Sequence, residues 1–207
     1  MSGSYYIADR GDVVDFLRPH GPFTRALDIG CAAGRLGGQL QAAGIISFCD
    51  GIEPHPAAAS TAASQLQRVW NRDFVDALSE VTWEDYDLFI LADVLEHLLD
   101  PWRSLRDLHD RVRPGARLMV SVPNIRHYSV SLPLLFLGRF DYVDAGIMDR
   151  THLHFFTSGS LRETVETSGW RVRVAALNLK QKYRKWWFPH RLLGQFLAVQ
   201  CFLLAEK

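Results

Sequence analysis

Cysteine is scarce in this chain. Its 207 residues hold three, Cys31, Cys49 and Cys201, an odd number without metal-ligand spacing. They read as reduced core thiols of a cytoplasmic protein and exclude a disulfide framework. No segment approaches the ~20 uninterrupted apolar residues of a membrane span. The opening "MSGSYYIADRGDVVDF" carries acids and no apolar core, so no secretory signal is read there. Net charge is also missing: 23 Lys and Arg balance 23 Asp and Glu, which removes the electrostatic footprint of a general nucleic-acid binder. Repeats and low-complexity linkers are absent. The expectation is a single domain over residues 1–207, large enough to bury roughly 70% of its unfolded surface.

The balanced charge is unevenly spread. Nine acids and no Lys or Arg lie between Asp73 and Asp100, whereas Arg171 to Ala205 holds seven bases and no acid. These are either two solvated faces, or an acidic wall beside a cationic cofactor and a basic rim beside an anionic substrate. The hydrophobic pattern alternates short buried strands with helices. Residues 10–18 predict a helix stopped before Pro19. "RALDI" and "SFCDGIEP" predict strands, followed by helices at Arg35–Ala43 and over the Ala-rich 55–67. "YDLFILAD" is near-continuously apolar, as in a parallel strand covered on both faces. A helix over 101–112, the strand "ARLMVSVPN", a Ser-capped helix over 158–169 and the strands "WRVRVAAL" and "QFLAVQCFLLAE" complete the series. Such alternation predicts a doubly wound α/β sheet, with the last two strands antiparallel at one edge.

"ALDIGCAAGRLG", residues 26–37, ends a strand on Asp28 and passes Gly30 and Gly34 before a helix. A dinucleotide-binding turn uses G-x-G-x-x-G to seat a pyrophosphate on the helix N-terminus. Here Ala32 fills the middle position, so a bare backbone survives while the phosphate triplet does not. Glu53 ends the next strand, nineteen residues past Gly34. A carboxylate there can accept from both hydroxyls of a ribose, each charge-assisted bond contributing roughly 1.5–3 kcal/mol. It suits any adenosine cofactor and selects against a 2′-phosphate.

In this order, with "VLEHL" and "RPGARLMVSVPN" following, these motifs resemble the class I S-adenosylmethionine-dependent methyltransferases over nearly the whole chain. The resemblance implies a mostly parallel seven-stranded sheet with an antiparallel edge strand and a lid insertion after strand 5, at 124–150. It implies S-adenosylmethionine as cofactor, with Asp28, Gly30 and Gly34 around its methionine part and Glu53 on its ribose. Asp73 of "NRDF" would meet the adenine, although it can equally cap the next helix. Asp93 opens the fourth motif, "LADVLEHLLDP", and counts as a further cofactor residue.

Methyl transfer needs an aimed acceptor and a destination for its proton, and an alkyl hydroxyl needs a base. "DVLEHL" places Glu96 and His97 just after the fourth strand, where open α/β sheets bind ligands. His97 is the first candidate base, with capping or packing against the next helix as the other reading; Glu96 is expected to hold the loop and the cofactor's methionine end. "DAGIMDRTHLHFFT", residues 144–157, resembles the "THLRFFT" segment of bacterial sugar- and surface-glycan methyltransferases, and more distantly of ubiquinone-pathway O-methyltransferases. His152 is thereby the second candidate base, and His154 stands where that segment has arginine. His127, Tyr128, Arg139 and Tyr142 join Glu96 and His154 as candidate acceptor contacts. Asp93, Glu96, His97 and His152 also resemble the ligand set of metal-assisted relatives. Asp replaces the first Glu and no tight His pair supports it, so no metal is assigned.

The expected reaction is methylation of a hydroxyl on a sugar, glycan intermediate or similar small metabolite, with a diphosphate among the groups such an acceptor can carry. The alternatives are N- or phenolic O-methylation of a natural-product or quinone-type acceptor, and a cofactor-binding accessory protein without turnover. "KQKYRKWWFPHR", residues 180–191, reads as an insertion packed under the sheet or in a homodimer, or as a transient contact with an anionic membrane surface. Pro189 interrupts any single amphipathic helix there. Stable membrane insertion and nucleic-acid partners are not expected.

Overall fold

The computed structural model describes residues 10–179 and 190–207, so most of the basic aromatic stretch lies outside the described residues. Its strands are β1 (Phe23–Ile29), β2 (Ile46–Ile52), β3 (Val69–Trp70), β4 (Leu88–Ala92), β5 (Arg117–Pro123), β6 (Arg171–Leu179) and β7 (Ala198–Glu206). They form a seven-stranded sheet in the order β3-β2-β1-β4-β5-β7-β6. The order reverses between β1 and β4, the topological switch point at which doubly wound sheets bind ligands. β1 pairs in parallel with β2 and β4, and β2 with β3. β7 runs the other way: Lys207 N–H donates to the Ala116 carbonyl while Asn124 N–H donates to that of Val199, so the register falls along β7 as it rises along β5. The expected fold class is therefore the observed one, with β7 inserted between β5 and β6.

The helices are α1 (Gly11–Leu17), α2 (Arg35–Ala42), α3 (Pro56–Ala62), α4 (Phe74–Ala77), α5 (Pro101–Arg111), α6 (Tyr128–Leu137), α7 (Ser158–Thr167) and α8 (His190–Leu197). The packing resolves into two compact units. The first comprises Met1–Ala92, Leu108–Met119 and Glu206–Lys207; the second comprises Asp93–Asp107 and Val120–Ala205.

In the first unit, Ala26, Leu27, Cys49, Leu88, Phe89 and Ile90 are fully buried, which is why β4 reads as an unbroken apolar run. A buried Asp50 carboxylate takes the Arg25 guanidinium at 2.7 Å and the Tyr86 hydroxyl at 2.7 Å. Gly51 lets β2 pass close to the turn after β1: a Cβ there would stand 2.5 Å from Cys31 Sγ. All three cysteines are buried, and burial raises each thiol, Cys201 to about 12, so they are inert core groups. The Ala-rich helix is shorter than its sequence suggests. It ends at Ala62, where Ser64 Oγ donates to the Thr61 carbonyl at 2.7 Å and competes with the helical ladder.

In the second unit, α7 is capped by Thr157 rather than by Ser158. Thr157 Oγ1 accepts Ser160 N–H at 3.1 Å, and Ser160 Oγ accepts Thr157 N–H at 2.9 Å. Trp170 buries its ring and donates Nε1–H to the Leu105 carbonyl at 3.0 Å. The sequence suggests a strand from 195, but Gln195–Leu197 close α8 and β7 starts at Ala198. Asn124 explains the break: its amide donates to the carbonyls of Gln195 and Ala198 at 2.6 and 2.9 Å. The insertion after β5 contains α6, which ends on Gly138 in the left-handed region and leaves Leu135, Phe136 and Leu137 exposed.

Candidate active site

The turn after β1 is built from three left-handed residues, Gly30 (φ 76°), Ala32 (φ 48°) and Gly34 (φ 78°). Gly34 is sterically required: a Cβ there would meet Ala62 Cα, Gln65 Cβ and Leu66 Cγ, each at 3.1 Å. The loop is tied to β2 through Gly30 and Cys31 N–H groups, which donate to the Ile52 carbonyl. Glu53 follows directly. One of its oxygens accepts Ala32 N–H and the other His55 N–H, both at 2.8 Å. The carboxylate is thus aimed by backbone from two segments, while Asn71 fixes the Glu53 and Pro54 carbonyls at 2.9 Å. Asp28 is only 2% exposed, and burial drives its carboxyl up to about 7; the Arg10 charge pulls it down and Glu53 pushes it up. Asp73 occupies the N-cap position of α4, but its exposed side chain makes no cap hydrogen bond, so helix capping does not consume it.

S-adenosylmethionine fits this donor set. Each Glu53 oxygen keeps acceptor capacity after taking one backbone N–H, enough for two ribose hydroxyls. A cationic ligand would offset the cost of ionising Asp28. The bared backbone from Gly30 to Gly34 permits close approach.

In the second unit, the loop after β4 begins with Asp93 at φ 58°. Its carboxylate is held by Gln200 Nε2 at 2.8 and 3.0 Å and by Ser121 Oγ at 3.2 Å, which makes it a rigid feature of the loop. A 3-10 turn, Leu95–His97, presents the next two candidates. The Glu96 carbonyl accepts Leu153 and His154 N–H at 2.8 and 3.1 Å, stapling this turn to the segment that carries His152. The His97 and His152 rings meet edge to face, with centroids 4.8 Å apart. Each spends Nδ1 on a backbone carbonyl, His97 on Thr151 at 3.2 Å and His152 on Ile147 at 3.0 Å. Carbonyls only accept, so both Nδ1 atoms carry a proton, and in the neutral ring the lone pair lies on Nε2. Burial, then the neighbouring His152, lowers the pKa of His97 and favours the neutral ring.

The remaining candidates are placed less centrally. His154 Nε2 lies 3.3 Å from the Leu99 carbonyl and its ring packs on Trp102. His127 is buried as the N-cap of α6, accepting Ser129 N–H on Nδ1 at 3.3 Å, with Tyr128 against its ring. Arg139 is paired with Asp141, and Tyr142 packs with Phe140 and Phe155. Sequence reasoning did not single out Gln200, Thr151 or the Ala32 amide, which orient the site without belonging to any motif.

A doubly wound sheet with a glycine turn after β1 and an acid after β2 defines a class I, Rossmann-like cofactor fold. The chain matches the family model described as a methyltransferase domain over residues 4–174, and it belongs to that family. Among curated proteins it is 30% identical over 154 residues to a ubiquinone biosynthesis O-methyltransferase of Aeromonas salmonicida, covering 72% of this chain and 63% of the relative. A second, from Ruegeria pomeroyi, is 31% identical over 114 residues, covering 54% and 46%. The match therefore spans about three fifths or less of these relatives' length. Among solved structures, an Archaeoglobus fulgidus SAM-dependent methyltransferase superposes with TM-score 0.68 at 18% identity, covering 98% and 96% of the two chains. The N-methyltransferase NodS of Bradyrhizobium japonicum WM9, in complex with S-adenosyl-L-homocysteine, does so with TM-score 0.61 at 16% identity, covering 96% and 85%. Among the described residues no helix is long and apolar enough to cross a membrane.

Proposed function

We propose that this chain transfers a methyl group from S-adenosylmethionine to a hydroxyl of a small acceptor, with a sugar or glycan intermediate as the first acceptor class. The observation that carries this reading is the imidazole pair, whose Nδ1 protons are spent on carbonyls so that two Nε2 lone pairs remain for an acceptor's proton. Bound cofactor supplies an electrophilic methyl group. Glu53 orients the ribose, the Gly30–Gly34 turn admits the methionine portion, and Asp28 answers its positive charge. His97 or His152 accepts the hydroxyl proton on Nε2, and Glu96 holds the two histidine-bearing segments together. Asp73 serves the adenine, while Tyr128, Arg139 and Tyr142 line the acceptor's approach. The cytoplasm is the proposed setting.

General-base catalysis is worth roughly 10²–10⁴-fold. Radiolabelled methyl transfer by His97→Gln and His152→Gln variants should fall within that range, with cofactor affinity retained. Unchanged turnover in both would refute the base assignment. The two ubiquinone-pathway relatives favour a second reading, a phenolic quinone-type acceptor. A phenol ionises more readily, so base loss would cost it less. Parallel assays with nucleotide sugars and with catechols separate the two.

A further inference from the structure

We infer that Asp149 is a positioning residue for the base: through Thr151 it aims the His97 ring, and its carboxylate answers the charge that arises when that ring takes the acceptor's proton. Its use in the reaction rests on the methyl-transfer reading; the hydrogen bonds that define it do not. Thr151 is the link. Its hydroxyl donates to Asp149 Oδ1 at 2.7 Å, and its N–H donates to the same oxygen at 2.8 Å. With its proton committed there, the hydroxyl oxygen can only accept, and it lies 3.3 Å from His97 Nδ1. The Thr151 carbonyl lies 3.2 Å from the same nitrogen. One Nδ1–H is therefore shared between two acceptors of one residue, and the donors run in a single direction from imidazole to hydroxyl to carboxylate. Asp149 also shapes the turn that delivers the second ring, since His152 N–H donates to its carbonyl at 3.0 Å.

This polarity suits a base. When His97 Nε2 takes the hydroxyl proton, the electrons of the O–H bond stay on oxygen for its new bond to carbon. The ring becomes a cation with both nitrogens protonated, and the hydrogen bonds behind it already favour that state. No proton moves along the chain, and Asp149 stays ionised, as the acid behind a catalytic histidine does in a serine protease. The electrostatics agree with the geometry. Burial pushes the Asp149 carboxyl up, yet the two Thr151 hydrogen bonds and the charges of His152 and His97 outweigh it and hold it below an ordinary aspartate. Burial and then His152 lower His97, while the Thr151 carbonyl, Asp149 and Asp93 raise it. Glu96 also faces the pair, with a carboxylate oxygen within 4.8 Å of a nitrogen of each ring. Asp149 is hydrogen-bonded toward His97 through Thr151, whereas the Asp93 carboxylate is held by Gln200 and Ser121.

Asp149→Asn is the informative change, because an amide oxygen still accepts both Thr151 donors and keeps the turn while the charge is lost. The first readout is the titration of His97 by NMR on protein labelled with ¹⁵N-histidine, whose spectrum also reports folding. Its midpoint should move to lower pH by roughly half a unit. The second is the pH profile of radiolabelled methyl transfer, with nucleotide sugars and catechols as acceptors. The acid limb of kcat should move the same way, because the ring then loses its proton at lower pH. The plateau should fall roughly tenfold, short of the about 10²–10⁴-fold for losing the base. A merely structural loss lowers the plateau without moving the limb. Thr151→Val should lower the plateau with the Asp149 charge in place, and Thr151→Ser should restore it. Asp144→Asn removes an acid paired with Arg150 on the same segment and should change neither readout. An unmoved His97 midpoint in Asp149→Asn overturns the assignment. So does full activity of Thr151→Val in a protein whose turnover depends on His97. A moved midpoint, in a protein whose His97→Gln and His152→Gln variants keep full turnover, upholds the link to Asp149 and overturns the base reading instead.

Discussion

Asp28→Asn should change how the protein's stability depends on pH. The carboxyl titrates at about 7 in the folded chain against 3.8 for an unperturbed aspartate, because burial disfavours its charge. Between these values the folded state holds a proton that the unfolded state has released, so stability falls as pH rises through the window and levels off above about 7. Each pH unit within the window is worth about 1.36 kcal/mol, which makes the full difference roughly 4 kcal/mol and the part between pH 5 and pH 7 roughly 3 kcal/mol. The clean quantity is the difference between variant and wild-type unfolding free energies from urea melts, since other titrations cancel. That difference should move in the variant's favour by roughly 3 kcal/mol from pH 5 to pH 8. Adding S-adenosylmethionine should recover much of it in the wild type alone, because its cationic groups favour the ionised carboxylate. Wild-type affinity for the cofactor should therefore rise with pH up to about 7 and then level off. A stability difference independent of pH would show that Asp28 is ionised throughout in the free protein, and the argument from burial would fail.

Two other substitutions test the cradle. Glu53→Gln keeps the shape but turns one acceptor into a donor facing a backbone N–H, of Ala32 or of His55. Loss of about 1.5–3 kcal/mol of charge-assisted binding should weaken S-adenosylmethionine roughly tenfold to a hundredfold by calorimetry, with NAD as the negative control; unaltered affinity would remove Glu53 from the ribose. Gly34→Ala forces an L side chain to φ 78° against three carbons at 3.1 Å. The left-handed backbone alone costs about 1–2 kcal/mol, and thermal melts should show at least that loss.

The legible part of this molecule is what is local in sequence. Asp28, Gly30, Gly34 and Glu53 lie on two successive strand ends, and the strand periodicity that predicts β1 and β2 also predicts where those residues emerge. β4 is equally readable, because a strand covered on both faces has no polar alternation to misread. Contacts between distant positions are not legible. Nothing in "AVQCFL" marks Gln200 as the clamp on Asp93, 107 positions earlier. His97 and His152 each stand out singly, but 55 residues separate them, and it takes the Glu96 staple and the His97–Thr151 hydrogen bond to bring their rings together. His127 has a role that its sequence position does not display: a helix start needs an acceptor for its orphan amides, and Nδ1 supplies it.

The two non-glycine residues with positive φ among the described residues are Ala32 and Asp93. Each lies just past the carboxyl end of a central strand, β1 and β4, and each conformation costs about 1–3 kcal/mol that the surroundings must offset. The surroundings do so with polar groups rather than packing. Ala32 presents its amide to Glu53, and Asp93 receives Gln200 and Ser121 on its carboxylate. At Ala32 the strain and its compensation involve the same carboxylate that would hold the cofactor's ribose. Relaxing the loop would therefore release Glu53 as well, which explains why a middle position that could have been glycine can be alanine here without freeing the turn.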